Sequence, residues 1–114
     1  MKQLVGEKKQ KSTQALLILD VFNLFQFDKA DSLIPHAEAA ADSILKLRKF
    51  FHSQKLPVIY ANDNFGKWRS SFEEIVLKAR KGKGRKIAEK LKPTSQDYFI
   101  LKPMHSAFFE TPLD

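Results

Sequence analysis

There is no cysteine among the 114 residues, and this absence restricts the chemistry first. Disulfides, cysteine zinc sites and a cysteine nucleophile are excluded for the chain as it stands. The first twelve residues, Met1 to Ser12, are rich in Lys and Gln and lack the apolar stretch of a secretory signal. Nor does any apolar run approach the roughly 18 to 20 residues that a membrane helix needs. There is no internal repeat, and the only compositionally biased stretch is Lys78 to Lys92. A cytoplasmic protein with no membrane contact is the expectation.

What is present suits a single packed domain. Hydrophobic residues make up 43% of the chain and ten residues are Phe, so a core is within reach and disorder is disfavoured. The formal net charge is +7. That excess attracts polyanions non-specifically, but it does not define a function. The basic run Lys78 to Lys92 carries Lys78, Arg80, Lys81, Lys83, Arg85, Lys86, Lys90 and Lys92 against Glu89 alone. It has no interleaved aromatics and matches no nucleic-acid motif, so it reads as a solvated face and no specific nucleic-acid partner is expected.

Residues 1–13 read as a basic lead-in and residues 14–114 as the domain. Ala15-Leu16-Leu17-Ile18-Leu19 is a continuous apolar run ending in Asp20, as expected of a strand covered on both faces of a parallel sheet. From Pro35 to about Ser53, apolar residues recur at helical spacing, with Pro35 in the first turn. Leu56-Pro57-Val58-Ile59-Tyr60-Ala61 reads as a second strand, closed by the polar Asn62-Asp63-Asn64. Together these form a βαβ unit. Ser71 with Glu74 predicts a capped helix, Ile87 to Leu91 a shorter one, and Tyr98 to Leu101 a third strand ending at Lys102-Pro103. Thr111-Pro112-Leu113-Asp114 has the form of a helix start, with Thr as cap and Pro in the first position. A chain that ends on such a signal is expected to be truncated.

Ligands of parallel α/β sheets bind beyond the carboxyl ends of the strands. Asp20, Asn62-Asp63-Asn64 and Lys102 all fall at such ends. Taken alone, Asp20 reads equally well as a loop cap, and Lys102 reads more readily as one of the lysines that commonly border strands. Together, an acid and a base at one edge can hold and move a proton beside a bound substrate.

Asp20-Val21-Phe22-Asn23 after its apolar strand, together with Lys102-Pro103-Met104-His105-Ser106-Ala107-Phe108, resembles the paired motifs of isochorismatase-like hydrolases. The stretch Pro57 to Trp68 is similar to the second-strand region of one bacterial branch of that family. The resemblance covers residues 15–114. It implies a three-layer α/β/α fold around a parallel sheet ordered 3-2-1-4-5-6, of which this chain carries strands one to three. It also implies an Asp-Lys-Cys triad acting on small amides, carbamoyl compounds or related substrates, with Asp20 moving the thiol proton and Lys102 stabilising the thiolate. Asn23, Phe65, Trp68, His105 and Ser106 would line the substrate pocket, though Phe65 and Trp68 suit an oligomer contact too, and plain packing roles equally well. The chain would hold two of three catalytic positions and be inactive by itself. No cofactor is implied. A metal site like that of some family amidases is not expected, because no His lies between His52 and His105. The partners implied are a small-molecule substrate and either further copies of the chain or a second chain supplying the missing half. His36 and His52 are expected at the surface.

Two other readings compete. Asp20-Val21-Phe22-Asn23 also resembles the opening of NYN/PIN-like ribonucleases, whose metal sites need several converging carboxylates. Only Asp63 joins Asp20 at a suitable strand end, and Lys102 stands where another acid would help. A haloacid-dehalogenase phosphatase is excluded by Phe22, which occupies the place of a required second Asp. The third reading is a non-catalytic interaction module.

Overall fold

A computed structural model describes residues 2–3, 14–63 and 71–102. In chain order the elements are β1 (Lys2–Gln3), β2 (Leu16–Leu19), α1 (Ala30–Ser53), β3 (Val58–Asp63), α2 (Phe72–Arg80), α3 (Arg85–Lys90) and β4 (Tyr98–Lys102). The apolar runs become strands of one sheet, ordered β1-β4-β3-β2, and every described pairing is parallel. The three strands expected from the apolar runs therefore stand in the order third, second, first, which is the 3-2-1 arrangement of an α/β fold. Lys2–Gln3, within the expected lead-in, adds a short strand beside Tyr98–Phe99.

Alternation along the strands decides what each face contacts. Ile18, Val58 and Tyr60 point into a core completed by Phe72, Ile75, Val76 and Ala79 of α2 and Ala88 of α3, with Ile44 and Phe51 of α1 packed against it. Phe99 and Leu101 of β4 join the same cluster. A second cluster, Phe25, Ala30, Ala41, Ile87 and Leu91, joins α1 to α3 and to the loop after β2. The described helices thus share one layer against one sheet face. Leu17, Leu19 and Ile100 belong to the other face by parity and are 52%, 56% and 38% exposed.

Several boundaries differ from the expectation. α1 begins at Ala30, so Pro35 lies inside the helix rather than in its first turn. Lys29, in the left-handed region at φ 61°, opens the helix, and short turns bond Ala30 N–H to Phe27 O and Ser32 N–H to Lys29 O. Ala30 is buried in the second cluster, which carries the helix back beyond the proline, and Pro35 removes only one backbone donor so near the start. β3 runs on through Asn62 and Asp63, which were expected to close it, because Asn62 occupies the buried parity of Val58 and Tyr60. The shorter helix runs from Arg85 to Lys90 instead of Ile87 to Leu91.

The cap on α2 is as expected: the Ser71 hydroxyl accepts from Glu74 N–H at 3.2 Å. The basic run is largely exposed and partly neutralised by surface pairs, Lys83–Asp31, Arg85–Glu89 and Lys90–Asp42. Among the described residues no helix is long and apolar enough to cross a membrane.

Candidate active site

Because β2, β3 and β4 are parallel, their carboxyl ends lie along one edge of the sheet. Leu19 pairs with Ala61 and Ala61 with Ile100, while Asp63 pairs with Lys102. Asp20 therefore follows the end of β2, Asp63 ends β3 and Lys102 ends β4. With strands about 4.8 Å apart, the backbones of Asp20 and Lys102 stand roughly 10 Å apart across β3. Asp20 and Lys102 thus share one edge of the sheet.

Asp20 is exposed and sits in a defined turn. Its backbone is left-handed, φ 53°, while its N–H still donates to Ala61 O at 2.8 Å. The chain thus leaves the β2–β3 ladder at this residue. A left-handed conformation costs a non-glycine residue free energy, but Asp is among the types that tolerate it best.

Phe22, two residues on, is buried against Tyr60 and Phe72, with ring centroids 5.7 and 5.8 Å away. Its N–H donates to Asn62 Oδ1 at 3.0 Å, and its carbonyl accepts from Asn62 Nδ2 at 2.9 Å. Asn62 is itself buried. Asn23, expected in the substrate pocket, is half-buried and uses its side-chain oxygen locally, accepting from Phe25 N–H at 2.7 Å. Its own carbonyl faces Gly84, where an added Cβ would come within 2.5 Å. Phe25 is again left-handed, φ 53°, and packs into the second core cluster. The loop after Asp20 is thus held by core packing and hydrogen bonds. Phe65, Trp68, His105 and Ser106 lie outside the described residues, as do Asn64 and the helix-start signal at 111–114.

Two polar networks were not foreseen from sequence. The Tyr60 hydroxyl donates to Leu91 O at 2.7 Å and accepts from Arg48 Nη1 at 2.8 Å, and Arg48 also reaches Lys92 O. Burial pushes the Tyr60 hydroxyl up to about 12, against the opposing pull of Arg48. At the opposite end of the sheet from Asp20, His52 Nε2 lies 2.6 Å from Asp97 Oδ1. The Asp97 side chain is 0% exposed and that of His52 21%, so His52 is no plain surface residue. Asp97 also accepts from Thr94 N–H and Oγ1, which ties the end of α1 to the turn before β4. The Tyr60 hydroxyl on an apolar strand is a sequence signal that could have disclosed the first network, since buried polar groups require partners.

A family model described as "Isochorismatase domain" matches residues 14–114. The chain belongs to the isochorismatase family. The isochorismatase family protein YaaI of Bacillus subtilis (strain 168) is 37% identical over 103 residues, covering 90% of this chain and 57% of that relative. The chain therefore spans less than two thirds of the length of this curated isochorismatase-family relative. No solved structure matches it significantly. Among the described residues, no group of three or more His, Asp or Glu stands ready to hold a metal ion.

Proposed function

We propose that this chain contributes the acid and the base of an Asp-Lys-Cys hydrolase acting on a small amide or carbamoyl compound. The observation that supports the reading is the shared carboxyl edge of β2 and β4, with Asp20 after one strand and Lys102 ending the other in a chain of this family. Asp20 takes the thiol proton, and the thiolate bonds to the substrate carbonyl carbon. Collapse of the tetrahedral adduct expels the amine, which leaves with the proton held by Asp20. Water then cleaves the thioester, releasing the acid and restoring the thiol. Lys102 stabilises the thiolate by its charge. The 114 residues contain no cysteine, so they do not complete this cycle by themselves. The pocket is completed by Asn23, Phe65, Trp68, His105 and Ser106, and by a further copy or a second polypeptide.

The test is a panel of small amides and carbamates, offered to the 114-residue chain and to a form joined by the polypeptide that supplies the cysteine. The 114-residue chain is expected to give no thiol-dependent turnover. In the complete form, Asp20→Asn and Lys102→Ala are each expected to lower turnover by roughly 10²- to 10⁴-fold while the fold survives. Near-normal turnover in both variants would overturn the assignment of the two residues.

A further inference from the structure

We infer that the Asn62 carboxamide is a positioning residue for Asp20, holding the turn that carries its carboxylate by continuing the β2–β3 ladder with a side chain. The inference rests on the proposed role of Asp20 and adds to it the device that fixes its geometry.

The ladder between β2 and β3 ends where Asp20 turns left-handed, after its N–H has bonded to Ala61 O. Beyond that point the β2 backbone can no longer run alongside β3. Phe22 is nevertheless 1% exposed, so its N–H and C=O need partners away from water. Asn62 serves both: its oxygen takes the Phe22 N–H at 3.0 Å and its nitrogen donates to the Phe22 carbonyl at 2.9 Å. A carboxamide presents the same donor and acceptor as a peptide unit, so it replaces one rung of backbone pairing across the turn. Its remaining N–H donates to Asp63 O at 3.1 Å, which orients the group.

Asp20 therefore lies between two fixed points. Its own N–H is anchored on β3, and the residue two positions on is anchored on β3 through Asn62 and by ring contacts with Tyr60 and Phe72. With both ends held, the backbone from which the Asp20 side chain departs is fixed against β3. Replacement by Asp, Ala or Leu does not retain this. Asp supplies no amide donor, and Ala or Leu leaves both Phe22 groups without the carboxamide.

The test is NMR on the isotopically labelled chain, comparing wild type with Asn62→Ala and with Ile75→Val, a change of modest cost in the same core cluster that touches no hydrogen bond of Asn62. Two signals are read: exchange of the Phe22 amide and the chemical shift of the Asp20 carboxyl carbon at neutral pH. In Asn62→Ala, Phe22 exchange is expected to rise at least about ten-fold over wild type, and the Asp20 carboxyl shift is expected to move. Ile75→Val should leave that shift unchanged. An Asn62→Ala chain that matches Ile75→Val in both signals overturns the inference. Should Asn62→Ala not fold, Asn62→Asp keeps the shape and the acceptor while removing the amide donor, and wild-type behaviour there in both signals overturns it equally. The wild-type Phe22 amide must also exchange as slowly as those of β3, and fast exchange there refutes the clamp without any variant. Neither signal needs turnover, so a failed assignment of catalysis to Asp20 remains distinguishable from a failed clamp.

Discussion

Tyr60 shows how one side chain couples burial to pH. Its hydroxyl rises from 10.0 to about 12 because burial disfavours the phenolate more than Arg48 favours it. The folded chain thus holds this proton more tightly than the unfolded chain does. The resulting stabilisation is complete below about pH 10 and is lost as pH rises through about 12. Its full size is on the order of 2–3 kcal/mol. Tyr60→Phe is expected to flatten alkaline unfolding in that window. It should also lower stability at neutral pH by about 1–3 kcal/mol, since Leu91 O and Arg48 lose a partner. Urea midpoints measured at pH 7 and at two alkaline values would check both effects. A wild-type midpoint that does not fall between pH 10 and 12 would contradict the argument.

Among elements, the loop after β2 and the start of α3 are fitted to each other at Gly84. A Cβ there would stand 2.5 Å from Asn23 O and 3.0 Å from a Phe25 ring carbon. The first neighbour is backbone, so Gly84→Ala must displace the loop or the helix start. We expect a loss of about 1–3 kcal/mol, the usual range for overpacking. Amide-shift changes should concentrate at residues 20–25 and 82–88. A variant as stable as wild type, with shifts confined to its immediate neighbours, would show that the junction yields freely.

How legible each element was depended on whether its cause is local. The strand runs at Leu16–Leu19 and Tyr98–Leu101 stand out in sequence because unbroken apolar stretches need cover on both faces. The Ser71 cap stands out because its hydroxyl and Glu74 N–H are three residues apart. α1 was expected to start too late because a proline suggested a beginning, whereas burial of Ala30 in a distant cluster set the true one. Of the candidate site, Asp20 and Lys102 were legible as strand ends. Asn62 was taken for the polar close of its strand because polarity was read without parity. The His52–Asp97 contact joins positions 45 apart and leaves no periodic trace.

For the molecule as a whole, the sheet face opposite the described helices carries Leu17 and Leu19 exposed, on a strand that forms one edge of the described sheet. Apolar edges recruit further strands, and exposed apolar faces seek cover. The +7 charge opposes association, but salt confines that repulsion to about 8–10 Å at physiological strength. The 114-residue chain is therefore expected to associate at moderate salt unless a second polypeptide covers this surface. Sedimentation over a concentration series would decide. A monodisperse monomer that unfolds cooperatively would show that residues 1–114 satisfy their own surfaces.

The parallel sheet also sets an order of assembly. Leu16 meets Val58 and Ile59 meets Tyr98, so these pairings close loops of about forty residues, whereas Lys2 meets Tyr98 across most of the chain. Closing the longest loop costs ~0.8 kcal/mol more than closing one of the shorter ones, by the logarithmic dependence of chain entropy on length. β1 offsets that cost with only two paired residues, Lys2 and Gln3. The central ladder must therefore exist before β1 has anything to join, and β1 is the first strand the sheet gives up.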